Sequence, residues 1–298
     1  MRELYRLRKR IESADELLKV VRTMKTLAAV NIRQYEQAVS SLRRYVRTVE
    51  MGFQVVLVGR PELIETASTA AEAPVGAIVF GSDQGMCGGF NERVADHAKR
   101  SLRRRGIGPD EGSLILVGHR AGYQFLDTEF HVQGRLELPS SIEGVSTFTR
   151  RLLSEVDAWR EERGVERILL YFNESEEGAR FSPTTFELLP IDRHFLEQLA
   201  EREWNSRTEP MHTLSGDELF SALVREYLYA RLFRACAESL ASENAARLMS
   251  MQSAQKNVTE LLDDLRGEYR RTRQSSITAE LLDIIGGFEA AKRPSDAR

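Results

Sequence analysis

Proline is missing from the first 60 residues and from residues 211 to 293, while seven of the eight prolines fall between Pro61 and Pro210. A proline inside a helix removes a backbone hydrogen bond and clashes with the preceding turn. Both ends of the chain are therefore free to form unbroken helices, and the middle is not. The N-terminal stretch has the pattern for it. Apolar residues recur at alternating spacings of three and four through Leu4, Leu7, Ile11, Ala14, Leu18, Val21, Ala28, Ile32, Tyr35, Val39, Leu42, Val46, Val49, Phe53 and Val56, and only Lys25 breaks the series. A seam sustained over about eight heptads with charged flanks predicts a coiled-coil helix.

The C-terminal stretch carries a second, more polar seam: Phe220, Leu223, Tyr227, Ala230, Arg234, Ala237, Ala241, Asn244, Leu248, Met251, Gln255, Val258, Leu262, Leu265, Tyr269 and Thr272. Polar residues in such a seam fix register at a cost in stability. Ser215 with Glu218 three residues on reads as a capping box, and Gly286-Gly287 as the stop. An insert joining the inner ends makes the helices antiparallel. At about 1.5 Å per residue, Leu4 to Val56 spans roughly 80 Å and Ser215 to Ile285 roughly 105 Å. The second helix should then overhang the first by about 25 Å, starting near Glu268–Arg270. The same arithmetic sets Met24 and Lys25 opposite Asn244–Arg247, within a turn or two. The overhang holds Leu281, Leu282, Ile284 and Ile285, a patch that soluble monomers rarely leave bare. The expectation is a sheath provided by another protein; the alternative is a tip folded back on the insert.

Charge is uneven. Residues 1–50 hold 12 basic and 6 acidic side chains, residues 51–214 hold 18 and 26, and the remainder 12 and 13, for a net charge of −3. The first helix is a basic rod suited to acidic partners, while the acidic insert argues against nucleic acid. No stretch reaches the roughly 20 apolar residues of a membrane span, so no direct membrane insertion is expected. The N-terminus has no apolar run of a signal peptide, and two cysteines, Cys87 and Cys236, imply a reducing compartment.

Between the helices, strand and helix signals alternate. Residues 75–80, 114–117 and 167–172 read as strands, and 184–189 as an edge strand bounded by Pro183 and Pro190. Asn91 is expected to cap a helix running to Arg105, and residues 145–163 form another. This is an open α/β sheet. The fold class is thus a long antiparallel coiled coil from the terminal helices plus an inserted open α/β sheet domain. The expected organisation is a coiled-coil helix over 1–58, an α/β domain over 59–212, a coiled-coil helix over 213–287 and a polar tail over 288–298.

The glycine-rich loop Gly81–Asn91 follows a strand and precedes a helix, a place where phosphate can be cradled. It lacks a Gly-Lys-Ser/Thr ending and the dinucleotide spacing, so a tight turn is the plainer reading. Cys87, with no histidine near it in sequence, reads as a small structural thiol. His97, His119, His131, His194 and His212 do not pair at ligand spacing, and no triad pattern is present. No catalytic residue, cofactor or metal is expected.

Three blocks resemble one family: residues 23–29 (Thr23 to Ala29), the loop Ser82-Asp83-Gln84-Gly85-Met86-Cys87-Gly88-Gly89, and two runs near the C-terminus, Ala241 to Leu248 and Arg273 to Gly286. Their order and spacing resemble the gamma subunit of F-type ATP synthases along nearly the whole chain. The resemblance implies a non-catalytic rotor shaft, its coiled coil inside a ring of three alpha and three beta subunits. The α/β domain would meet the epsilon subunit and the membrane c ring, so that ion flow drives ATP synthesis or hydrolysis drives the reverse. It implies a place at the cytoplasmic face of the bacterial inner membrane. Carried over by position, Met24 and Lys25 resemble the segment at the beta levers, with Arg247 opposite. Asp83 and Cys87 belong to the loop near those levers, and Arg273, Gln274, Thr278 and Glu280 resemble the upper contacts with alpha and beta. The opening Tyr5-Arg6-Leu7-Arg8-Lys9-Arg10, Met86 in place of leucine, and the extended tail depart from the family pattern. They suggest a divergent branch such as the alternate, often sodium-linked bacterial ATPases; gamma does not line the ion path, so proton or sodium coupling stays open. A non-rotary coiled-coil scaffold with an α/β insert is the competing reading.

Overall fold

The computed structural model describes residues 2–68, 74–108, 112–126, 128, 130–176, 180–204, 208 and 210–292. The proline-free ends are two long helices, α1 (Arg2–Leu57) and α7 (Gly216–Lys292). The capping box forms: the Ser215 Oγ accepts from the Glu218 N–H at 3.3 Å, and the Ser215 N–H donates to the Glu218 carboxylate at 3.1 Å. The expected stop at Gly286-Gly287 does not hold, because α7 runs through both glycines to Lys292. Glycine costs a helix only about 1 kcal/mol relative to alanine, and no proline follows before Pro294. Residues 288–292, expected in the tail, are helical, and the rest of the tail lies outside the described residues.

The chain divides into two compact units, Met1–Leu27 with Ser250–Arg298, and Ala28–Met249. In the first, the start of α1 and the end of α7 run antiparallel, with Asp15 paired to Arg266 at 3.1 Å and Lys25 to Gln255 at 3.1 Å. Its core is Leu7, Ala14, Leu18, Val258, Leu262 and Leu265, flanked by Ile11 and Tyr269, all heptad positions. After Leu265 no described residue is buried, so the overhang begins where the length arithmetic put it. At its tip Leu281, Leu282, Ile284 and Ile285 are all more than half exposed. The register does need correction. Lys25 meets Gln255, eight residues past Arg247, because the arithmetic took Val56 and Ser215 as the point where the pairing starts.

The second unit holds a five-stranded sheet in the order β3-β2-β1-β4-β5. Its strands are β1 (Val75–Phe80), β2 (Gly112–Val117), β3 (Val132–Leu136), β4 (Arg167–Glu176) and β5 (Arg180–Leu189). The first four are parallel; β5 joins β4 antiparallel at the edge. Alternate strand residues feed two cores, as a two-residue period requires. Ala77, Val79, Leu116 and Tyr171 pack with α3 (Phe90–Arg104), whereas Ile78, Phe80, Val117 and Leu170 pack with α5 (Ile142–Arg163) and with Phe53, Leu57, Tyr227 and Leu232 of the long helices. The long helices are thus a layer of this domain. The short elements α2 (Pro61–Ser68), α4 (His119–Tyr123), β3 and α6 (Arg193–Glu201) have no counterpart in the sequence reading.

Three expectations change here. Pro183 lies within β5, opposite Asn173, and does not bound it; an edge strand tolerates it because one side of its backbone needs no partner. Gly89, not Asn91, is the residue before α3, and Asn91 lies inside the helix. Arg234, placed in the seam by its spacing, is exposed and pairs with Glu238 and Glu174. Where α7 packs against a sheet as well as a helix, burial follows the wider contact rather than a heptad.

Candidate functional site

The loop from Gly81 to Gly89 is fixed by side chains that its own sequence supplies. The Ser82 N–H donates to the Asn91 side-chain oxygen at 2.9 Å, and the Asn91 amide donates back to the Ser82 Oγ at 2.8 Å. Asp83 uses one carboxylate oxygen to accept from the His119 N–H at 2.8 Å and the other to accept from the Leu138 N–H at 2.7 Å. Hydrogen bonds to an ionised acceptor are roughly twice as strong as neutral ones, so Asp83 ties the loop to the start of α4 and the end of β3. Gly118 permits the approach: with φ of +91°, it would place a Cβ 2.7 Å from the Ser82 backbone. At the loop's far end Met86 sits at φ of +61° with its side chain exposed, a conformation that costs a non-glycine residue energy.

This ordered loop lies on α7. Cys87 and Phe90 pack with Ala246, and Phe181 closes the cluster. Arg247 donates to the Gln84 carbonyl at 3.4 Å and to the Glu243 carboxylate one turn back in its own helix. Both side chains of that ion pair are buried. Burial pushes the Glu243 carboxyl upward, and Arg247 opposes the shift. Asn244, in the same turn, donates to the Leu240 carbonyl and accepts from Asn31 of α1 at 3.3 Å. The Cys87 thiol is also pushed up by burial, against the pull of its bond to Ser82. It stays protonated, which fits a structural thiol rather than a nucleophile. With both Asp83 oxygens spent on backbone amides, these contacts fasten a loop to a helix and leave no group poised for proton or group transfer.

In the other unit, Met24 and Lys25 are half-buried in the helix pair, and Lys25 reaches across to Gln255. Arg273, Gln274, Thr278 and Glu280 are exposed on the end of α7. Thr278 only donates to the Gln274 carbonyl in its own helix, and among the described residues no ion pair holds Arg273 or Glu280. The expected residues therefore fall into three places: Asp83, Cys87 and Arg247 together, Met24 and Lys25 in the helix seam, and the remaining four on the bare end. Glu243 is the addition; its spacing of four from Arg247 was the available signal. Among the described residues no group of His, Cys, Asp or Glu side chains could hold a metal ion, and no helix is long and apolar enough to cross a membrane.

Comparison with known proteins agrees with this organisation over its whole length. The family model described as ATP synthase matches residues 3–291. An ATP synthase gamma chain of Geobacter metallireducens is 30% identical over 98% of this chain and all of its own length, and one of Geotalea uraniireducens is 29% identical with the same coverage. Among solved structures, the rotor of Euglena gracilis mitochondrial ATP synthase in rotational state 1 superposes with a TM-score of 0.60 at 18% identity, covering 92% of this chain and 99% of that one. The OSCP/F1/c-ring structure from the same organism gives 0.60 at 21% identity, covering 99% and 98%.

Proposed function

The chain belongs to the ATP synthase gamma-chain family, and on that premise we propose that it is the central shaft of a rotary ATP synthase. It is a non-catalytic subunit. It passes torque between a membrane c ring and an alpha/beta hexamer that performs the chemistry. The observation that carries this reading is the end of α7, where a continuous helix extends past Leu265, the last buried position among the described residues, with its leucines and isoleucines exposed. Such a surface fits a hydrophobic socket.

The residue roles follow the same division. Arg273, Gln274, Thr278 and Glu280 meet the alpha and beta subunits around the bare end. Met24, Lys25, Asp83, Cys87 and Arg247 lie where the beta levers press on the shaft. Asp83, Cys87 and Arg247 hold loop and helix together there, so that a push on the loop turns the helix. The α/β domain meets epsilon and the c ring. The chain is part of a membrane-associated complex, at the cytoplasmic face of the bacterial inner membrane. In domain terms, the shaft comprises residues 1–58 and 213–292 and the foot residues 59–212.

Affinity purification tests this. A tagged chain expressed in its own cell should bring down alpha and beta subunits at three copies each per shaft. A monodisperse particle without them would sink the proposal.

A further inference from the structure

Within the second unit, α1, α7 and the residue after α6 line a half-open cavity of about 550 Å³, a size typical of small-ligand sites. Five arginines line it: Arg43, Arg47, Arg202, Arg231 and Arg234. Only two carboxylates, Glu50 and Glu238, share the lining, and each is already engaged, Glu50 by Arg202 and Glu238 by Arg234. Among the described residues, Arg43, Arg47 and Arg231 have no carboxylate within ion-pair distance, although the charge of Arg231 acts on Glu238.

Arg43 and Arg47 stand one turn apart on α1. A like-charge pair at that spacing destabilises a helix, and Glu50, three residues past Arg47, is shared with Arg202. Arg231 is held in place: its guanidinium lies over the rings of Tyr227, Phe186 and Phe195, 4.8 to 5.7 Å from their centroids. Its Nε is buried and has no hydrogen-bond partner among the described residues. The rest of the wall is aliphatic, with Val39, Leu42, Val46 and Ala230. Planar guanidiniums on several sides match the oxygens of a phosphate, and an aliphatic wall suits an apolar body attached to it.

We propose that this cavity binds a phosphate-bearing ligand, with Arg43, Arg47 and Arg231 as its anion-holding groups. Two sources share that chemistry, a soluble diphosphate and an anionic phospholipid headgroup. The site goes beyond the shaft role and does not depend on it. A ligand bound there would clamp α1 to α7 beside the domain.

The test uses the full-length chain. Pyrophosphate binding is followed by calorimetry, and lipid binding by co-sedimentation with vesicles of phosphatidylglycerol and phosphatidylcholine, with pure phosphatidylcholine as control. Arg43 and Arg47 are exposed, so the Arg43→Gln/Arg47→Gln variant should keep its circular dichroism and bind at least tenfold more weakly. The Arg150→Gln/Arg151→Gln variant removes the same charge from α5, outside the cavity, and should bind as the parent does. Saturable pyrophosphate binding with this pattern identifies a soluble ligand; the pattern with anionic vesicles alone identifies a lipid headgroup. No binding of either probe, or equal weakening in the two double variants, overturns the proposal.

Discussion

Two stretches of α7 reverse the usual link between composition and burial. From Ala235 to Arg247 every residue but Glu238 is buried, yet the stretch is mostly alanine, serine and charged or amide side chains. From Arg273 to Phe288 every residue but Ser276 is exposed, yet it contains Ile277, Leu281, Leu282, Ile284, Ile285 and Phe288. Small side chains allow neighbours to close in on all sides; Glu243, Asn244 and Arg247 find hydrogen-bond partners there, while the buried Ser239 and Ser242 hydroxyls have none among the described residues, a cost the close packing must offset. The large side chains at the other end have no such neighbours. On the proposed shaft role a second molecule would cover them, each leucine or isoleucine being worth about 1.5–3 kcal/mol when fully covered.

The sharpest way to break that comparison is to remove the exposed end. Truncation after Ser276 deletes the exposed leucines and isoleucines from Ile277 onward, and removes no buried residue among those described. The free chain should unfold within about 0.5 kcal/mol of the parent, as for ordinary surface changes. The assembled complex should lose most of its yield or its coupling, because several contacts of the size above vanish together. Measuring urea unfolding of the free chain beside complex recovery and ATP-driven ion pumping separates the two. Unchanged recovery and pumping would show that the end has no socket.

The buried stretch predicts the opposite pattern. Arg247→Ala strands the Glu243 carboxylate beneath the Gln84 loop. Removing one partner of a buried pair costs about 3–5 kcal/mol, here read as a lowered urea midpoint of the free chain. Replacing both, as in Glu243→Leu/Arg247→Met, should recover most of the loss, since a buried pair and an apolar pair of similar volume are often equivalent. A loss below about 1 kcal/mol in the single variant would contradict the burial argument, because that is the worth of a solvated surface pair.

These stretches also show what sequence could reveal. The seam of the first unit was legible because a helix packed on one helix buries a heptad stripe, and Leu7, Leu18, Leu262 and Leu265 obey it. Arg234 was misplaced because a helix packed on both a helix and a sheet no longer follows one period. Lys25 was paired about two turns off because register depends on where the insert releases the chain, which Val56 and Ser215 do not encode. The glycine loop is held by its own side chains, and Asn91 lies inside α3 rather than capping it. Its partner Ser82 lies nine residues back, and local propensity says nothing about bonds over that distance. Short elements such as α4 and β3 lack the length that makes a period visible. The exposed end was legible for a simple reason: an apolar surplus past the end of its partner helix can be counted.

The smallest expected effect concerns Cys87, at the contact of the loop with the buried stretch. Burial is the main cause of its raised pKa. The folded chain therefore keeps a proton that the unfolded chain releases as pH climbs into the ordinary thiol range. By linkage, stability falls with rising pH wherever the folded state binds more protons. The contribution is intact below the unfolded thiol's pKa and is lost progressively up to the folded one. In a Cys236→Ala background, Cys87 should react with a maleimide at least about tenfold more slowly in the native chain than in urea at neutral pH, since the thiolate is the reactive form. The stability gap between that chain and its Cys87→Ala derivative should narrow from pH 7 to pH 10. A gap that stays constant, or native labelling as fast as in urea, would mean that the loop opens freely from α7 and that Asp83, Asn91 and Arg247 do not hold it.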